Sequence, residues 1–150
     1  MDLLLLIHAG ATLYMVGLIW FVQVVHYPLF AAVGAPDYGT YQQAHMRRTT
    51  FVVLPPMVVE LTTAAMLALP PLRPAAVPSF AGGAGLIAVL LVWAVTFLVS
   101  VPAHRRLSSG FDQRAHARLV ASNWLRTALW SLRGGLALWM LHISSTPDLP

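Results

Sequence analysis

Four long apolar stretches separated by three shorter polar ones account for nearly the whole chain. They run over approximately residues 4–30, 51–69, 85–101 and 119–143. A membrane-spanning helix needs about 20 mostly apolar residues, and each stretch meets or approaches that length. The first and third contain no Asp, Glu, Lys or Arg; the second contains only Glu60, and the fourth only Arg126 and Arg133. Proline lacks a backbone donor and breaks helices, so Pro28, Pro70-Pro71 and Pro102 predict the ends of the first three spans. Pro55-Pro56 predict a kink or a delayed start in the second. In the first loop Ala35-Pro36-Asp37 reads as a helix start. Tyr38, Tyr41 and His45 follow at helical spacing, as expected of a short interfacial helix carrying an aromatic stripe. In the third loop Ser108-Ser109-Gly110 breaks the chain, and Phe111-Asp112 opens a helix that continues into the fourth span. The expected architecture is an all-α, integral membrane, up-down four-helix bundle forming one domain over residues 1–150.

Charge orients the bundle. The first loop carries Arg47 and Arg48, and the third carries Arg105, Arg106, Arg114 and Arg118. The second loop has only Arg73, and the termini offer Asp2 and Asp148. The positive-inside rule places the Arg-rich loops 1 and 3 in the cytoplasm and both the N and C termini outside. Asp2 stands where a signal peptide would be basic, and the apolar run outlasts a signal core, so the first stretch reads as a retained span.

Composition sharpens this. The chain is 58% hydrophobic and 9% charged, against about 25% charged in soluble domains. The lipid bilayer is therefore the first partner. Arginines that flank apolar spans report topology, and nucleic acid is not an expected partner. Cysteine is absent, which excludes disulfides, thiolate metal sites and thiol nucleophiles. Lysine is absent too, fitting an Ala-, Arg-, Leu- and Val-biased bacterial genome, and the expected location is the bacterial inner (cytoplasmic) membrane. There is no clear internal repeat.

Helical periodicity then sorts the polar residues. His8, Thr12, Ile19, Gln23 and His26 share a face of the first span; Pro56, Glu60 and Thr63 share one on the second. Trp93, Thr96, Ser100 and His104 align on the third. On the fourth, His116, Asn123, Thr127 and Trp130 align, with Arg126 and Arg133 on the adjoining edge. Glu60 lies roughly 14 Å in from Phe51 at the helical rise. A charge at bilayer depth costs about 2.5–3.5 kcal/mol or more, so such groups face the interior and pair. Glu60 can take Arg126 or Arg133. The other guanidinium then wants carbonyls, water or an anion. His26, His45, His104 and His116 fall at the cytoplasmic end, while His8 and His142 fall at the outer end. One pocket lined by the four imidazoles, Glu60, Gln23 and Asn123 is expected.

Such a pocket admits several chemistries. His26, His45, His104 and His116 form a candidate set for a metal ion, although HExxH, ExxH and paired His at i, i+4 are all missing. Haem held by His26 and His104 is a weaker candidate. Acid–base chemistry by Glu60 or a histidine needs no cofactor. A proton or ion pathway would call for a homodimer or a larger complex.

Two short motifs add a resemblance. Val101-Pro102-Ala103-His104-Arg105-Arg106-Leu107 ends the third span, and Asn123-Trp124-Leu125-Arg126-Thr127 enters the fourth. With Tyr27-Pro28-Leu29-Phe30 they resemble the pattern of small four-helix membrane proteins of the anthrone-oxygenase-like family. His104 stands where much of that family has Asn, and His26 and His45 have no counterpart in it. The resemblance implies an oxygenase-like fold acting on lipophilic aromatic or quinone-like molecules, with Asn123, Trp124 and Arg126 near the site. The expectation is thus a small membrane oxidoreductase or oxygenase. In it Glu60, Asn123, Arg126 and Arg133 do the chemistry or orient an enolate oxygen, and the four histidines bind metal or shuttle protons. The competing expectation is a noncatalytic accessory subunit or transporter component whose Glu–Arg cluster is structural.

Overall fold

A computed structural model describes residues 2–146; Asp148, used above to orient the C-terminus, lies outside the described residues. Four long helices are present: α1 (Leu3–Ala32), α2 (Tyr38–Ala68), α3 (Ser79–Leu107) and α4 (Gln113–Ser145), with no strand among the described residues. The first three are long and apolar enough to cross a membrane. The fourth is as long, but Asn123, Arg126, Thr127, Ser131 and Arg133 dilute its apolar character.

Each helix packs chiefly on two neighbours, α1 and α3 each lying between α2 and α4. Contacts run head to tail. His8 near the start of α1 bonds Thr63 near the end of α2, and His26 near the end of α1 bonds His45 near the start of α2. Asp2 caps α1 by accepting from the Leu4 and Leu5 amides at 2.9 and 3.3 Å. Asp112 caps α4 through the Ala115 amide at 2.9 Å. Each cap satisfies amides that have no carbonyl one turn back.

The surface is what water would not tolerate. Phe51, Leu98 and Leu132 are 76%, 73% and 72% exposed, while Gln23, Glu60, Asn123, Arg126 and Arg133 are buried. Apolar residues facing outward all round a helical bundle match a lipid solvent.

Several prolines behave differently from expectation. Pro28 does not end α1, nor Pro102 α3. Each follows a π-helical turn, Val22–His26 and Thr96–Ser100. There the amide before the proline reaches back five residues: Tyr27 to Val22, and Val101 to Thr96. The wider turn absorbs the missing donor, and the helix continues. Pro55-Pro56 likewise lie inside α2. That helix begins at Tyr38, so the expected interfacial helix is the first part of α2. Only Pro70-Pro71 follow a helix end as expected.

The α2–α3 contact depends on one glycine. A Cβ at Gly82 would sit 2.2 Å from the Leu67 carbonyl oxygen and 3.2 Å from the Ala68 Cα. Backbone cannot yield as a side-chain tip does. Gly82→Ala is expected to cost about 1–3 kcal/mol, at the upper end, and to lower the yield of folded protein in a detergent thermal-melt assay. Gly83→Ala, with nothing within 4 Å of its Cβ, is the matched control. Equal melting of the two variants would refute the close-contact account.

Candidate functional site

Burial and bonding divide the polar interior into two clusters rather than one pocket. The deeper one centres on Glu60, which is fully buried. Its Oε1 accepts from Arg133 Nε and its Oε2 from Trp130 Nε1, both at 2.9 Å. Arg133 Nη1 also donates to the Gly85 carbonyl, leaving Nη2 without a partner. Glu60 therefore takes Arg133, and Arg126 is the arginine left over.

The second cluster lies nearer the α1–α2 connection. His26 Nε2 and His45 Nδ1 share a hydrogen bond of 2.9 Å, and Thr49 Oγ1 lies 3.1 Å from the same His45 nitrogen. Both nitrogens of His104 are engaged, Nε2 with the Tyr27 hydroxyl at 3.0 Å and Nδ1 with the Gln42 amide at 2.8 Å. The His45 and His104 rings are 5.2 Å apart, and Phe30 contacts His26, His45 and His104. His116 stands apart, its Nε2–H donating to the Tyr27 carbonyl at 2.8 Å. Three of the four candidate histidines thus meet. Among the described residues no three of His, Asp and Glu are arranged to hold a metal ion, because each imidazole is turned to a hydrogen bond instead. A haem between His26 and His104 finds the Phe30 and His45 rings packed against both.

Between the clusters lies a polar bridge. Asn123 donates through Nδ2 to Gln23 Oε1 at 2.8 Å and accepts from Arg126 Nη1 at 3.2 Å. Gln23 belongs to the π turn of α1. The Arg126 guanidinium lies over the Trp130 ring, 5.1 Å from its centre, a cation–π contact. No carboxylate pairs with it among the described residues, and its Nε is buried without a partner.

Arg126 is the buried end of a cleft of about 210 Å³ between α1, α2 and α3, which His45, His104 and Tyr27 also line. Apolar side chains such as Met15, Ile19 and Met57 form most of its wall. Its mouth, at Thr50, Leu54 and Phe97, is exposed on the lipid-facing flank between α2 and α3. Three interruptions of regular helix border it: the π turns of α1 and α3, and the region of Pro55-Pro56 in α2. π turns often mark functional sites. Trp93 Nε1 and Ser100 Oγ, on cleft-lining residues, are buried and unpartnered like Arg126 Nε.

Glu60 and Arg133 do not line the cleft, and Asn123 reaches it only through Arg126. Periodicity overlooked Tyr27 and Gln42. Gln42 falls at i+4 from Tyr38 and three before His45, a buried stripe that a reading of Tyr38, Tyr41 and His45 misses by one position.

No protein-family model, curated protein or solved structure matches this chain.

Proposed function

We propose that this chain is a multi-pass protein of the bacterial cytoplasmic membrane, with its Arg-rich loops cytoplasmic, that takes a lipophilic molecule sideways from the bilayer and carries out oxidoreductase or oxygenase chemistry on it. The observation that carries the reading is Arg126, a buried guanidinium without a carboxylate at the closed end of a cleft that opens toward lipid. The unpartnered groups around the cleft are donors, so the favoured ligand presents acceptor oxygens: an aryl ketone, an enolate or a quinone-like ring.

His45 is the group suited to move a proton. Its Nδ1 is tied to His26, and its Nε2 has no partner among the described residues. With the proton on Nδ1, His45 donates to His26 Nε2, and its own Nε2 is a bare acceptor beside the cleft. An acidic C–H of the substrate gives its proton to that nitrogen, and the enolate oxygen formed sits on Arg126. The electron-rich enolate is the species that dioxygen oxidises. For an aryl methylene the balance is one methylene and one dioxygen in, one ketone carbonyl and one water out. Both C–H bonds break, one oxygen atom becomes the carbonyl oxygen, and the other leaves as water with the two hydrogens. No further reductant is needed. The resemblance to the anthrone-oxygenase-like family supports this reading through Asn123 and Arg126. Glu60 and Arg133, which satisfy each other, are left with a structural role.

Purified protein in detergent, titrated with enolisable aryl ketones (anthrone among them), should show saturable tryptophan quenching and oxygen uptake above autoxidation. His45→Gln should bind as the parent does but turn over about 100-fold or more slowly. Absence of saturable binding across the panel would end the proposal. Undiminished turnover in His45→Gln would remove His45 as the base.

A further inference from the structure

Three Arg side chains at the loop end of α3 and α4 remain outside the site described. Arg106 on α3 and Arg114 and Arg118 on α4 surround a recess of about 340 Å³, floored by the buried Ala103 and Ala115 and walled by Val99 and Pro102. Arg114 and Arg118 are one helical turn apart and point the same way. The one acid in the recess, Asp112, is already engaged. Its Oδ2 accepts from Arg106 Nε at 2.7 Å and its Oδ1 from the Ala115 amide at 2.9 Å. Those contacts, the Ala115 amide first and the Arg106 guanidinium after it, hold the Asp112 carboxyl below the usual carboxylate range. Asp112 therefore stays charged, fixes Arg106, and leaves Arg114 and Arg118 with no carboxylate partner among the described residues. Three cations face one anion.

We propose that this recess binds the phosphate of an anionic phospholipid. Charge complementarity supplies the headgroup half of the argument: a phosphate takes guanidinium donors from two helices at once. The wall supplies the other half. Val99 and Pro102 continue upward into the outward-facing surface of α3, where Leu98 is 73% exposed. A lipid held at the recess lays its chains along that surface, which a free anion has no use for. The recess also lies where the chain leaves its apolar span, at the depth of the headgroups. Arg105, equally basic and one residue away, does not line it.

The full chain in detergent micelles, offered equal phosphatidylglycerol and phosphatidylcholine, is read by native mass spectrometry. Phosphatidylglycerol should be retained in preference. The double variant Arg114→Gln/Arg118→Gln should lose that preference by about thirtyfold, and Arg105→Gln should keep it. Millimolar inorganic phosphate should leave the bound lipid in place. The assignment is overturned if the double variant retains phosphatidylglycerol as the parent does. Equal retention of phosphatidylcholine, or displacement of the lipid by inorganic phosphate, overturns it as well. Both variants should keep the parent's helical circular-dichroism signal, because Arg114 and Arg118 are exposed and bond nothing else; loss of that signal in the double variant alone would assign the residues to folding and also overturn the proposal.

Discussion

Replacing Arg133 by Met is expected to destabilise the folded protein by about 3–5 kcal/mol, measured as unfolding by SDS in mixed micelles. The substitution strands Glu60 at 0% exposure with Trp130 as its remaining donor. An unpaired buried carboxylate is costly because the interior offers nothing in place of water. The pair as a whole need not be stabilising, since its desolvation offsets most of its attraction. Removing both charges with Glu60→Met/Arg133→Met should therefore recover most of the loss. Were the single variant neutral, or the double variant worse than the single, the pair would not be the internally satisfied unit described.

Arg126→Gln is expected to do the reverse: little change in fold and a large change in binding. Affinity for an enolisable aryl ketone should fall about 10- to 100-fold, the worth of a hydrogen bond to a charged group. Arg126 makes one hydrogen bond, to Asn123, and leaves its Nε idle, so Gln costs little structure. Lys, a point charge without the planar fork, should restore only part of the affinity. Tryptophan quenching gives the affinity and circular dichroism the fold. Unchanged affinity in Arg126→Gln would mean that the guanidinium does not meet the ligand.

The difference between the two arginines was half legible in the sequence. An excess of buried guanidinium over carboxylate follows from reading Glu60, Arg126 and Arg133 on helical faces. Which arginine is paired does not, because the choice turns on where α2 and α4 cross. The helices themselves were legible from apolar run length, and the inward residues of α4 from spacing. Their ends were not. Pro28 and Pro102 carry a strong helix-breaking signal locally, and a π turn just before each cancels it, with no residue type that announces such a turn. The histidine cluster was legible as a set at one end of the bundle. Its geometry was not: Tyr27 and Gln42, which hold His104, stand in segments that read as a helix end and a loop. The two-cluster interior, with Glu60 outside the cleft, was likewise invisible to a reading that sorted residues by depth alone.

The π turn of α3 has a consequence beyond the space it opens. From Ala81 to Leu107 the buried residues keep to one side of the helix, although the interval is about one residue longer than seven regular turns require. The wide turn is where that surplus is stored. Deleting a single residue between Thr96 and Ser100 would restore an ordinary helix and rotate everything after it by about 100° relative to everything before. His104 would swing away from Tyr27 and Gln42, and the arginines that follow would be carried to a different azimuth. The bundle's working end is in this sense held in phase by one surplus residue, and its spacing is less tolerant of deletion than its composition is of substitution.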